Sequence, residues 1–468
     1  MENGSQTHNE STMTTNTAPP SGIFSPQFVW TTVGAIALIF LAAFESLAVT
    51  TIMPVISEEL DGAALYAVAF SGMLAASVIG MVVAGRWADR TGPVGPLISA
   101  ISIFVVGLVI SGVAGEMVVF IIGRILQGLG SGAVTVALYV VVARIYPAHL
   151  HPKIFGAFAA AWVVPSLIGP PVAGLVAENL GWHWVFLGVG VLALFAGGAI
   201  VPSMRLLHAQ ARDESSTGSS ETNGWMIFWA ALLSVAVVAI SVGGELDSPW
   251  AWPIAGAAFV VVIIALRPLV PRGTLIVRRG LPAVVLLRGA IAAAFFATEV
   301  YLPYLLNIQY DLPPWAAGLI LTVGAVSWAG GSAIQSRLGD RVAHSSVARV
   351  ASILIVVGIS VQFITAFFVL SPGLAAAGWF IAGGGMGLVF PRISTLVLGY
   401  STPSDQGFNS AAMSIADATG GASAIAFAGL VFTAFGGLLD GGFTAALALT
   451  ALIALAAVPV AFRVREKS

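Results

Sequence analysis

The chain of 468 residues is 58% hydrophobic and 9% charged, with a formal net charge of −2 and no cysteine. A soluble domain carries roughly 25% charged residues, so this deficit excludes an ordinary soluble globule. The missing cysteine excludes disulfides and thiol chemistry, and no basic excess is present to hold nucleic acid.

Residues 1–22 are polar and rich in Ser, Thr and Asn. They have no basic cluster ahead of a short apolar core, so they read as a disordered tail and not as a cleaved signal. Fourteen apolar runs follow, at about 28–54, 64–84, 95–113, 117–143, 154–177, 184–203, 225–243, 251–266, 281–306, 314–335, 346–368, 373–397, 407–436 and 442–462. About 20 such residues cross a hydrocarbon core of ~30 Å. The expected fold is therefore an all-α polytopic membrane protein of 14 spans.

Of the 19 Lys and Arg residues, 16 fall in alternate loops or the carboxy-terminal tail. The opposite loops hold none and carry acids such as Glu58, Glu59, Glu116 and Asp311. Basic loops stay in the cytoplasm. Both termini are thus expected to be cytoplasmic, in a cell (plasma or inner) membrane. The remaining three, Arg124, Arg288 and Arg392, fall inside spans, whereas the six histidines are placed in tails or loops.

The chain repeats itself. Gly85-Arg86-Trp87-Ala88-Asp89-Arg90 follows span 2, and Ser336-Arg337-Leu338-Gly339-Asp340-Arg341 follows span 10, the aspartates being 251 apart (340 − 89). Gly156 and Gly169 of span 5 fall at the same offset from Gly407 and Gly420 of span 13. Spans 4 and 12 match at 255 (378 − 123), setting Gly123, Gly128, Gly130 and Gly132 on Gly378, Gly383, Gly385 and Gly387. The expected organisation is a tail at 1–26, a six-span half at 27–204, a linker with two inserted spans at 205–279, and a second six-span half with a short tail at 280–468. Two parallel halves around a central site are a transporter architecture.

Four motifs carry a family resemblance: Gly85-x-x-x-Asp89-Arg90-x-Gly92, Arg124-Ile125-Leu126-Gln127-Gly128, Pro165-x-x-x-Gly169-Pro170-Pro171-x-Ala173-Gly174, and the span 1 run from Phe44 through Glu45 to Pro54. In this order they resemble the major facilitator superfamily, and within it the fourteen-span drug:proton antiporter family. The likeness covers the whole transmembrane region. Departures are Glu45 where that family has Asp, Pro93-Val94-Gly95 where basic residues end the loop motif, Pro165 and Ala173 for glycine, and Trp182-His183-Trp184 for Trp-Arg-Trp. The resemblance implies that Arg124 faces the cavity and tunes a proton site.

An ionised carboxylate inside a span costs several kcal/mol, and holding a proton removes that cost. Glu45 therefore reads as a proton carrier, or else as one partner of an assembly contact. Glu299 is a second proton or cation candidate, with Tyr301, Tyr304 and Asn307 as polar company. It shares a helix face with Arg288, about 16 Å away along the axis, so these two are too far apart to pair; Arg288 itself reads as snorkelling. Asp417 is a candidate for cationic substrate, with Arg392 a conceivable partner. Proline and glycine in span 5 are expected to bend it and let it pack closely and rock. Asp89 and Arg90 are placed in a tight turn, where Asp89 caps a helix or pairs with an arginine to latch one conformation. Asp340 and Arg341 repeat that arrangement.

No histidine or cysteine within a span supplies a nucleophilic or metal site. The two lysines, Lys153 and Lys467, follow Pro and Glu, so no Gly-Lys of an ATP-binding loop exists. The expectation is a non-enzymatic, proton-coupled exporter of hydrophobic small molecules, cations first among them, with no cofactor. Its partners are the bilayer, substrate and protons. Export of an endogenous lipid or metabolite is the alternative on the same fold, and a channel or sensor is set aside because Glu45 and Arg124 are both present.

Overall fold

The computed structural model describes residues 22–147, 150–213, 225–243, 250–338, 341–402, 405–438 and 441–464. Among them fourteen helices are long and apolar enough to cross a membrane. The first half contains α1 (Val29–Glu59), α2 (Tyr66–Thr91), α3 (Val94–Gly112), α4 (Met117–Ile145), α5 (His151–Leu180) and α6 (His183–Asp213). Then come α7 (Trp225–Gly243) and α8 (Ala251–Leu266). The second half contains α9 (Leu281–Tyr310), α10 (Pro314–Leu338), α11 (His344–Phe368), α12 (Pro372–Tyr400), α13 (Gln406–Ala434) and α14 (Gly442–Ala461). Fourteen successive crossings put both described termini at the basic end of the bundle, opposite an acidic end.

Several boundaries shift. α1 runs on to Glu59, so Glu58 and Glu59 belong to its last turn. α6 runs to Asp213, so the sequence stretch taken as a linker from Arg205 begins as helix; residues 214–224 lie outside the described set, as do Asp340 and the tail to residue 21. His151, His183 and His344 open α5, α6 and α11 instead of standing in loops. Asp89 and Arg90 are not in a turn either. They occupy the last turn of α2, which Gly92 closes with φ +86°. Nor does Asp89 cap the next helix, whose N-cap Pro93 has no side-chain bond. Asp89 is exposed, and it forms no ion pair among the described residues.

The internal repeat is built from glycines at helix crossings. A side chain at Gly128 would overlap the Met73 carbonyl of α2, and one at Gly383 would overlap the Gly324 carbonyl of α10. Gly132 meets Ser77 as Gly387 meets Trp328, and Gly123 meets the Gly107 carbonyl as Gly378 meets that of Gly358. Each carbonyl pair is 251 apart and each glycine pair 255. Lipid offers no hydrophobic drive for helix pairing, so close backbone approach through small residues is what binds α4 to α2 and α3, and α12 to α10 and α11.

The inserted hairpin packs across the junction of the halves. Ser234 of α7 donates to the Ala75 carbonyl of α2 at 2.6 Å, and the Ser71 and Ser241 hydroxyls are 2.6 Å apart. On the other side Phe259 of α8 meets Phe427 of α13 edge-on.

The two halves touch each other chiefly toward the acidic end. Tyr66 of α2 stacks on Tyr304 of α9 at 4.2 Å and donates to the Val300 carbonyl at 3.0 Å. Phe432 of α13 and Phe443 of α14 complete the cluster. On the opposite flank, α5 and α10 cross where a Cβ on Gly174 would stand 2.7 Å from the Trp315 nitrogen, and one on Gly318 2.9 Å from the Pro170 carbonyl carbon. Thr322 of α10 donates to the Leu167 carbonyl there, at 3.2 Å. α5 stays a single helix through Pro165, Pro170 and Pro171. Its close contact lies at Pro170 and Gly174 and not at Gly169, where a Cβ would meet only the Phe44 ring, at 3.5 Å. Toward the basic end Trp162, Val163 and Val164 are exposed in succession, more than one helix face.

Candidate functional site

Inside the first half, Glu45 of α1 and Arg124 of α4 are both buried and form an ion pair. The pair arises because α4 approaches α2 through glycines, which leaves its arginine no route to water. Arg124 Nη1 also donates to the Gln127 side-chain oxygen at 2.7 Å, and its Nε faces the Ala69 carbonyl of α2 at 3.4 Å. Gln127 passes the chain on to α3, donating to Ser111 Oγ at 2.9 Å and to the Gly107 carbonyl at 3.3 Å. The guanidinium thus has the carboxylate and backbone partners that a buried cation requires. On the other side of the pair Glu45 Oε2 is buried with no hydrogen-bond donor among the described residues. One carboxylate oxygen is held and the other is not.

The second half holds a different ion pair. Arg288 Nε of α9 donates to Asp417 Oδ1 of α13 at 2.6 Å and to Oδ2 at 2.8 Å. The guanidinium carbon lies 3.3 Å from the centre of the Phe390 ring. Arg288 is 8% exposed. It does not snorkel, and it, not Arg392, is the partner of Asp417. Arg392 turns toward α10 and the loop beyond, donating to the Val342 carbonyl at 3.3 Å. With the Gln335 amide oxygen turned to face it, Nε lies 2.8 Å from that oxygen.

Glu299 is half-buried and forms no ion pair among the described residues. It stands one turn from Phe296 and next to Val300, between the mid-membrane contact of Gly421 with Leu74 and the aromatic cluster. Tyr301 and Tyr304 do not keep it company. They are buried in that cluster, against Tyr66 and Phe432. Asn307 donates to the Leu312 carbonyl and ties down the end of α9. Gly85 lies within α2, facing Val136 of α4, Gly92 closes α2 ahead of α3, and Arg341 is exposed at the basic end. Sequence reasoning missed Tyr66, Ser111 and Phe390, because a lone aromatic or hydroxyl in an apolar run carries no spacing signal.

Chains of known function resemble this one along most of its length. It is 24% identical over 359 residues to the multidrug efflux pump SdrM of Staphylococcus aureus, covering 74% of this chain and 78% of that one. It is 26% identical over 414 residues to the multidrug transporter MdtP of Bacillus subtilis, covering 81% and 72%. Among solved structures, a peptide transporter POT in complex with alafosfalin superposes with a TM-score of 0.68 at 15% identity, over 95% of this chain and 96% of that one. A bacterial homolog of the human lysosomal transporter Spinster, inward-facing and occupied, gives 0.64 at 14%, over 94% and 97%. These two likenesses speak to the fold alone. The family model of the Major Facilitator Superfamily matches residues 35–425, and the chain belongs to that superfamily of transporters.

Proposed function

We propose that the protein is a proton-coupled secondary active exporter of hydrophobic small molecules, working by alternating access with both termini in the cytoplasm. The observation that carries this reading is the buried Glu45, bound to Arg124 through one oxygen and open at the other. An ionised Glu45 needs the guanidinium. A protonated one does not, because its charge is gone, and Arg124 then keeps Gln127 and the Ala69 carbonyl. Loading a proton therefore loosens the α1–α4 contact, and releasing it restores the contact. The multidrug relatives support export as the direction of use.

The halves close on each other at the acidic end. With basic loops assigned to the cytoplasm, this closure is the one an inward-facing state needs in order to load substrate from the cytoplasm or the inner leaflet. The Glu299 carboxylate is then the acid placed to favour a cationic substrate. Asp417 is engaged by Arg288, which favours keeping the second reading, a neutral lipid or metabolite substrate, in view.

Reconstituted vesicles with an imposed proton gradient test the proposal. Ethidium should move uphill only while the gradient lasts, and purified protein should release protons when ethidium is added. Uphill movement that ignores the gradient would overturn proton coupling, and downhill movement alone would indicate a channel.

A further inference from the structure

The inserted hairpin leaves an apolar groove of about 450 Å³ on the flank of the second half, walled by α8 and floored by α9, α13 and α14. Its floor is low because α9 and α13 touch through Gly289 and Gly420. Phe259 and Ile263 of α8 stand over it, and Leu266, Val270 and Thr274 carry it up to the basic end. There the connection between α8 and α9 presents Arg267, Arg272, Arg278 and Arg279. All four are exposed, and none forms an ion pair among the described residues. No acid lies in that connection. Ile276, in its midst, is 77% exposed. An apolar side chain so placed between arginines suits the interface of a bilayer.

Two polar atoms mark the groove from within. Thr419 and Ser423, one turn apart on α13, are 3% and 8% exposed, and neither hydroxyl has a hydrogen-bond partner among the described residues. The contact of Gly420 with Gly289 sets their depth. Thr419 lies level with the third turn of α9, roughly 12 Å below Leu281 at 1.5 Å per residue.

We infer that the groove is a binding site for an anionic phospholipid from the leaflet at the basic end. An acyl chain fills the apolar trough beside α8. A glycerol ester carbonyl accepts a hydrogen bond from the Thr419 hydroxyl, the acyl chain runs on past the deeper Ser423, and the phosphate meets the arginines that reach down to it. Basic pockets between spans hold anionic head groups in this way. The site gives the two inserted spans a task, since without α8 the trough has no outer wall. This inference does not depend on proton coupling or on the transported substrate.

Photo-labelling tests it. The full chain is placed in nanodiscs of phosphatidylcholine and phosphatidylglycerol at 3:1, with a trace of either lipid carrying a diazirine in its acyl chain. Labelled peptides are mapped by mass spectrometry. The phosphatidylglycerol probe should label peptides spanning 259–293 and 416–427 about fivefold more than the phosphatidylcholine probe, as ~1 kcal/mol of head-group preference requires. Around exposed Phe195 of α6, a control surface, the two probes should label equally. The Arg272→Gln, Arg278→Gln, Arg279→Gln triple variant should lose the preference. Ser423→Trp should lose the labelling, and Ile263→Trp does the same from the open side if Ser423→Trp fails to fold. Equal labelling by both probes, or labelling no stronger than on α6, would make this ordinary annular contact and overturn the site. Displacement of the label by saturating ethidium would assign the groove to transported substrate and overturn the lipid assignment.

Discussion

Arg288 of α9 grips both carboxylate oxygens of Asp417 of α13 through its Nε, at 2.6 and 2.8 Å, with its guanidinium carbon over the Phe390 ring. The contact ties together three helices of one half. Removing either partner leaves a charge in a site with few other donors or acceptors. Arg288→Ala should therefore lower the thermal stability of the detergent-purified protein, by about 1.5–3 kcal/mol for lost hydrogen bonds to a charged group. The Arg288→Leu, Asp417→Leu double variant should recover part of the loss, since replacing both members removes the stranded charge. Tryptophan-fluorescence melts check this. Equal destabilisation by the single and double variants would mean that packing on Phe390, and not the charge pair, holds the site.

Glu45→Gln keeps the shape and removes the exchangeable proton. It should remain folded and bind ethidium but lose gradient-driven transport, by at least ~100-fold if coupling runs through this carboxylate alone. Arg124→Leu should behave differently. It removes the cation that an ionised Glu45 needs, so it should lower stability above the pH at which Glu45 takes its proton and spare it below. Normal uphill efflux by Glu45→Gln in proteoliposomes would remove Glu45 from the proton path.

The number of spans and the internal duplication were legible because both are written in one dimension. Apolar length fixes the spans, and the 251 and 255 offsets recur as matched glycine contacts such as Gly128 on Met73 and Gly383 on Gly324. Pairing among the buried charges was not legible. Asp417, Arg288 and Arg392 are all in the second half, and which arginine turns to the aspartate depends on helix rotation and neighbour order. The tight turn read at Asp89 failed for a local reason. Trp87 and Ala88 are good enough helix residues to carry α2 on to Thr91, and only Gly92 stops it. Nor could the motif around span 5 show which of its small residues meets a backbone.

The crossing of α5 and α10 separates two glycines that look alike in the sequence. Gly174 faces the backbone nitrogen of Trp315 at 2.7 Å from where a Cβ would lie, whereas Gly169 has ordinary room beside Phe44. Gly169→Ala should be nearly silent. Gly174→Leu and Gly318→Leu should overfill the crossing, cost about 1–3 kcal/mol, and slow transport while leaving ethidium binding measurable. Turnover rates at matched expression decide this. Full turnover in Gly174→Leu would show that the crossing does not have to move or close.

The aromatic seal can be opened selectively. Tyr66→Ala deletes the ring stacked on Tyr304 and the bond to the Val300 carbonyl, the contacts that join the two halves. The chain has no cysteine, so a single Phe296→Cys reports accessibility. A membrane-impermeant maleimide added at the acidic face should react about tenfold faster in the Tyr66→Ala background, equivalent to ~1.4 kcal/mol of lost closure. An unchanged rate would mean that the α5–α10 crossing alone keeps the acidic end shut.

The last prediction concerns Glu299, which has no ion-pair partner among the described residues and lies below the aromatic seal, between the halves. Asp417 spends its charge on Arg288, so a cationic substrate in the second half has Glu299 to meet. If substrates are lipophilic cations, Glu299→Gln should weaken ethidium binding about tenfold, the equivalent of ~1.4 kcal/mol. A neutral hydrophobic compound should bind with little change. Asp417→Asn should reduce both alike, through the loosened contact with Arg288. Binding by fluorescence polarisation and resistance at matched expression read out the two classes. Equal losses for cation and neutral compound in Glu299→Gln would assign Glu299 to coupling. No loss for either would leave the acid outside the site and favour a neutral lipid or metabolite as the cargo.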